Sequence, residues 1–335
     1  MNNNAKVWLA MGIFLGAILV LCIFMVLSMP RGRFYIGGGN AMLRHTENMK
    51  IDERTALDLV AYSENIYFLR SDNDELIIKE YYRSATKKAD IKKNDQAVTI
   101  RCEQETNIMV WGMGTANERI EIYLPQKYAG NVKIAVSSGA IKSDVHFTGE
   151  RLSFESSSGS ISLQDLIADN VSIKASSGSI KADGIMGDTT IKTNSGTIKV
   201  DGIKGDATVN ASSGSVTINR LEGLADIHTS SGSVKVFSVI GGVTAKASSG
   251  TVRIEVAELK GNVNVTSSSG SVSIDLPKDS AFKFSAETSS GSIKTDFDAS
   301  LSFNSRGNSA NGTVGGDTNY LVSAKASSGT VRVTR

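Results

Sequence analysis

The tripeptide Ser-Ser-Gly recurs from Ser137 onward, with its glycines at Gly139, Gly159, Gly178, Gly214, Gly232, Gly250, Gly270, Gly291 and Gly329, and Asn194-Ser195-Gly196 fills a gap in the series. From Gly178 to Gly250 the step is 18 residues every time; towards either end it lengthens to 19, 20 or 21. The last step, Gly291 to Gly329, is 38, close to two units with one degenerate. A fixed step of this size is the mark of a stacked repeat, because a unit so short cannot bury its own inner face and needs neighbours above and below it.

The unit reads as strand. After the glycine comes Ser or Thr in most copies, then Ile or Val, then a polar residue, then a mostly apolar one, as in Ser179-Ile180-Lys181-Ala182-Asp183 and Thr251-Val252-Arg253-Ile254-Glu255. This period-2 alternation places β-branched residues on one face. A second short strand precedes each turn, as in Ile173-Lys174-Ala175 and Val209-Asn210-Ala211, and Gly-x-x-Gly-Asp pieces (Gly184 to Asp188, Gly202 to Asp206) mark a further corner. The expected fold is all-β: a single-stranded β-solenoid of roughly 18–21-residue coils stacked about 4.8 Å apart, with inward Ile and Val ladders. Ten such turns make a rod on the order of 50 Å. The regular solenoid is expected over 137–335, with a Gly-, Asn- and Ser-rich loop inserted near 304–319 before a last coil. Residues 51–136 lack the Ser-Ser-Gly mark yet still alternate, and they read as irregular leading coils that cap the stack.

Val7 to Met29 is an uncharged apolar run of 23 residues. As a helix it spans roughly 34 Å, enough to cross a hydrocarbon core of about 30 Å. It is too long for the apolar region of a cleaved signal peptide, and Ser28-Met29-Pro30 is a poor cleavage site. One transmembrane α-helix over 7–29 is therefore expected, after a short cytoplasmic tail, 1–6, and before a stalk, 30–50, containing Gly37-Gly38-Gly39. The flanking charges, Lys6 before and Arg31 and Arg33 after, are nearly balanced; the expected location is the cell membrane, single-pass, with the C-terminal domain outside the cytoplasm.

The Glu118-Arg119-Ile120-Glu121-Ile122-Tyr123-Leu124-Pro125 stretch, Val132 to Asp144 with its Ser-Ser-Gly turn, the turns that follow, and the ending Val322 to Val333 together resemble a bacterial family usually described as adhesins, a domain of unknown function. The resemblance covers roughly residues 50 to 335. It implies an N-terminally anchored β-solenoid and offers no catalytic residue. Some members accompany envelope-stress regulatory systems, which implies a second role.

Stacking turns sequence offsets into surface columns. Three residues after the turn glycines stand Lys142, Lys181, Lys199, Lys235, Arg253, Lys294 and Arg332; five after stand Asp144, Asp183, Asp201, Glu255, Asp275 and Asp296. The basic column is the candidate contact for a linear polymer, such as a cell-wall polymer or glycan. The competing reading is a solvated face whose two columns offset each other, in keeping with a net charge of only +2. The Ser-Ser ladder could bind sugars or could satisfy backbone groups at the corners.

An enzyme needs convergent acid–base groups, and short uniform coils leave little material for a groove. His146 and His228 are coils apart, Cys22 and Cys102 are the only cysteines, and Asp188 and Asp206 lack the calcium-binding nonapeptide pattern. No catalytic residue, cofactor or metal site is expected, and the near-neutral charge gives no reason to expect nucleic acid. The expected function is a membrane-anchored, non-enzymatic surface that contacts an envelope polymer or a membrane protein. The alternatives are an accessory protein of an envelope-stress sensing system and a polymerising scaffold on the cytoplasmic side.

Overall fold

The computed structural model describes residues 40–103, 117–297, 300–316 and 318–335. The expected tail 1–6, the apolar run 7–29, residues 30–39 of the expected stalk and residues 104–116 of the expected leading coils lie outside these residues. Among the described residues all regular structure is β, and every strand belongs to one continuous hydrogen-bonded sheet.

The central coils stack in parallel with the 18-residue register that the spacing predicts. Ile180 pairs with Ile198, Ile198 with Val216, Val216 with Val234 and Val234 with Val252. All five are fully buried, as is the ladder Ile173, Ile191, Val209, Ile227 on the other side of the turn. Each such side chain contributes about 1.5–3 kcal/mol on burial, so the interior of the stack is its main source of stability. The strand Val216–Ser231 runs almost a full coil and bends where Arg220 adopts φ 55°. Asp165 and Ser238 bend their coils in the same left-handed way, and Gly184 and Gly202 occupy the same column. Every turn glycine from Gly178 onward lies over the glycine of a neighbouring coil. At Gly232, with φ 138°, a Cβ would fall on the carbonyl oxygen of Gly214, so this position admits only glycine.

Neither end stacks in sequence order. The last coil, Leu321–Ser328 with Val331–Thr334, inserts between the coil carrying Val272–Asp275 and the coil Phe282–Ser290 with Ile293–Thr295. Gly291 and Gly329 are therefore immediate neighbours, and the 38-residue step is one coil plus an excursion, not two coils. That excursion corrects the expected loop at 304–319. Ser309–Val314 is a strand antiparallel to Phe282–Ser290 and forms a hairpin with Ser300–Phe303. Its loop-like composition hides an alternation that buries Ala310 and Val314.

The N-terminal end is interleaved in the same manner. Ala56–Ala61 lies between Ala97–Arg101 and Val132–Val136, and Asn65–Arg70 lies between Arg119–Leu124 and Ile141–Ser143. Antiparallel strands then cover the outermost coil: Glu75–Tyr82 on Arg119–Leu124, and Asp90–Lys93 on Ala97–Arg101. Met42–Lys50 pairs in turn with Glu75–Tyr82. The expected stalk is thus shortened, since 42–50 is the outer strand of the sheet, with Met49 packed against the core. Antiparallel strands cover part of the ladder at both ends, which weighs against coaxial stacking of rods.

Candidate functional site

The basic column exists as one line across the sheet. Lys142, Ser162, Lys181, Lys199, Thr217, Lys235, Arg253, Ser273, Arg332 and Lys294 follow one another coil by coil. The interleaved end places Arg332 before Lys294. All seven basic members are exposed. The acidic column answers them only in part. Lys181 Nζ lies 3.4 Å from Asp183 Oδ2, and Arg253 Nη2 lies 3.0 Å from Asp275 Oδ2 of the next coil. Asp201 is taken instead by Arg220, at 2.8 Å. Lys142 Nζ stands 5.7 Å from the Tyr67 ring.

The Ser-Ser residues face outward at every turn. The hydroxyls that satisfy the corner belong to the residue before them, which points inward. Ser156 Oγ donates to the Gly139 carbonyl and accepts from Gly159 N–H; Ser267 Oγ donates to the Gly250 carbonyl at 3.0 Å, and Thr288 Oγ1 to that of Gly329 at 3.2 Å. The glycine N–H groups are also used, since Gly196, Gly214, Gly232 and Gly250 each donate to a serine carbonyl one coil on. The Ser-Ser hydroxyls stay open to solvent, while Thr193 Oγ1 and Thr229 Oγ1, at the inward position of two other coils, are buried without a hydrogen-bond partner.

On the face before the turn an open groove of about 960 Å³ crosses six coils. Ser172, Thr190, Thr208 and Thr244 occupy one outward column of its floor, and Lys174, Lys192 and Lys246 the next. Asp226 interrupts the hydroxyl column and pairs with His228, Oδ1 to Nε2 at 2.9 Å. Asp206 caps the adjacent corner, where its Oδ1 accepts from Leu224 N–H at 3.0 Å. Among the described residues no group of three or more His, Cys, Asp or Glu is placed to hold a metal ion. The arrangement can contact an extended ligand coil by coil; it does not converge on a single reacting atom.

A buried ionic cluster at the N-terminal end has no counterpart in the sequence reading. Lys87 Nζ lies 2.7 Å from both Glu64 Oε1 and Glu118 Oε2, and 4.9 Å from the centre of the Tyr82 ring. Glu64 Oε2 accepts from the N–H groups of Tyr62 and Ser63, and Glu118 Oε1 from that of Arg83. Burial alone would lower the Lys87 pKa; hydrogen bonds to Glu118 and Glu64 outweigh it and hold the ammonium above its ordinary range. Nearby Cys102 is a buried free thiol, pushed up to about 12 by burial first and then by the charge of Glu64. The three carboxylate and ammonium groups tie the Tyr62–Glu64 turn, the segment after Tyr82 and the entry to Arg119–Leu124 into one cap. A lone Lys-Lys pair at Lys87-Lys88 gives no hint of this in sequence.

The solved structures similar to this chain include a "putative lipid binding protein" from Parabacteroides distasonis, with 11% identity over 88% of this chain and 98% of that one and a TM-score of 0.42. A "putative adhesin" from Bacteroides fragilis matches at 11% identity, 86% and 96% coverage and a TM-score of 0.37. A "putative cell adhesion protein" from Clostridium sporogenes matches at 11% identity, 87% and 98% coverage and a TM-score of 0.29. At such scores these likenesses carry no inference about this chain. The comparison with curated proteins finds no match. The profile of the family described as Toastrack DUF4097 matches residues 55–223 and again 186–334, which together span almost all of the stacked coils. This chain belongs to the Toastrack DUF4097 family.

Proposed function

We propose that this protein is a membrane-anchored, non-enzymatic β-solenoid that presents its columns outside the cytoplasmic membrane and contacts an envelope polymer or a surface protein. The observation that carries the reading is the coil-by-coil return of the outward Ser-Ser hydroxyls beside a column in which seven of ten positions are exposed Lys or Arg. Repetition of this kind suits a ligand that is itself extended and repetitive. The anchor rests on the apolar run Val7 to Met29, whose length fits a bilayer.

Two measurements test it. An epitope tag after Arg335 is exposed to protease on intact, wall-stripped cells; loss of the tag is expected, and a tag cut only after lysis would place the solenoid inside and end the reading. The full chain in neutral detergent is then incubated with isolated cell-wall sacculi and with membranes. Retention on one of them is expected, and binding to neither would remove the surface-contact function.

A further inference from the structure

The charge around the Ser-Ser-Gly corner is segregated beyond what a solvated face requires. On the five central coils, the segments 174–181, 192–199, 210–217, 228–235 and 246–253 run from four residues before the turn glycine to three after it. Together they hold seven Lys or Arg residues and His228, and they contain no Asp, no Glu, no Phe, no Tyr and no Trp. The carboxylates begin just outside, at Asp183 and Asp201 on one side and at Asp188, Asp206 and Asp226 on the other. The corner is thus a hydroxyl edge with a basic column on each flank, in a chain whose net charge is only +2.

That arrangement costs stability in the free protein. Lys174 is the direct ladder neighbour of Lys192, and Lys181 of Lys199. Like charges directly opposite each other on neighbouring strands are destabilising, and of these four lysines Lys181 is also paired with Asp183. Interspersed signs would keep the face soluble without that cost. A bound polyanion removes it.

The chemistry of the edge narrows the polyanion. Six of the seven fixed cations are lysines, compact point charges that hold phosphate oxygens without the planar fork by which arginine grips carboxylate and phosphate alike. The N–H groups of Gly196, Gly214, Gly232 and Gly250 are consumed within the stack, so contacts come chiefly from ammonium groups and from the outward serine hydroxyls, which donate to phosphate oxygens. The absence of Phe, Tyr and Trp from these segments leaves no stacking platform for bases or sugar rings. We propose that the Ser-Ser-Gly corner binds a flexible, base-free phosphodiester polymer lying along the solenoid axis over about 20 Å. This deepens the polymer-contact reading above and rests on it.

The test is fluorescence anisotropy of a labelled poly(glycerol phosphate) chain with the full-length protein in neutral detergent. Binding that weakens linearly on a log–log plot against salt is expected. The triple variant Lys192→Glu, Lys199→Glu, Lys235→Glu should lose about tenfold or more in affinity. The charge-matched control Lys204→Glu, Lys260→Glu, Lys283→Glu, placed off the corner, should lose less than about threefold. Equal losses in the two variants, no binding at low salt, or equally tight binding of polygalacturonate or single-stranded DNA would each overturn the proposal. Retention on sacculi that the first triple variant leaves intact would also overturn it, while the broader reading survived through another surface. Retention on no envelope material would end both.

Discussion

Thr334 Oγ1 donates to Asp275 Oδ1 at 2.7 Å across 59 residues of chain, because the C-terminal coil is threaded between two coils that precede it. A strand of that coil pairs on both sides: Ala324 meets Val265 and Ala286, and Val331 meets Val272 and Ile293. In a solenoid stacked in sequence order, the last coil can be removed and only fraying follows. Here, deleting residues 316–335 takes out a middle layer and strips Phe282–Ser290 and Ile293–Thr295 of their parallel partner. Hydrogen exchange should show amides of 282–295 losing their protection along with those of 263–275, and the truncated chain should aggregate through its exposed ladders. Unchanged protection at 282–295 would refute the layer order.

The glycine column makes a sharper local test. Gly232→Ala meets both a φ of 138° and the Gly214 carbonyl beneath it, so it should cost at least about 2 kcal/mol in denaturant unfolding. Gly307→Ala, with φ 68° and open space around its Cβ, should cost only about 1 kcal/mol. Equal costs at the two sites would mean that coil-to-coil contact does not hold this corner tight.

The contrast between those glycines also shows what a sequence can convey. The fixed 18-residue step, the Ile180 to Val252 ladder and the outward Lys column follow from spacing and alternation alone, since these decide which face a residue takes. They do not decide which coil becomes the neighbour, so the interleaving of 321–334, and that of 97–101 and 119–124, is not legible in them. Ser309–Val314 resembles a loop because Ser309, Asn311, Gly312 and Thr313 outnumber the two residues, Ala310 and Val314, that reach the core. The inward hydroxyl at Ser156, Ser267 and Thr288 escapes notice because Ala175, Ala211 and Ala247 fill the same position in other coils. The Lys87 cluster draws its members from three separate segments, with no shared periodicity to connect them.

That cluster should be the most sensitive polar site in the protein. Lys87→Met leaves the buried Glu64 and Glu118 carboxylates without their ammonium, and should destabilise by about 3–5 kcal/mol in urea titration. Adding Glu64→Gln and Glu118→Gln to Lys87→Met should recover a good part of that loss, because no uncompensated charge then stays buried. A triple variant no more stable than Lys87→Met would mean that packing of the lysine stem, not its charge, is what matters.

The same end of the molecule should set the alkaline limit of stability. The unfolded Cys102 thiol ionises near its ordinary value of 9.0, while burial keeps the folded thiol protonated up to about 12. Between those values the unfolded state holds fewer protons, so stability falls as pH rises through the window. Tyr82, raised mainly by burial from 10.0, acts in the same direction. Lys87 adds to it: its folded pKa lies above 10.5, so its contribution is complete below 10.5 and is lost as pH climbs beyond. Urea midpoints measured from pH 7 to 11 should be flat to about pH 8.5 and then decline. Cys102→Ala should start lower at pH 7 from lost packing, yet decline less between pH 9 and 10, because one of the protons driving the fall is gone. The native thiol should also resist alkylation at pH 8 and react once urea opens the cap. A wild-type profile that stays level to pH 11, or a Cys102 that alkylates in the folded chain, would show that the thiol is not held in this buried site.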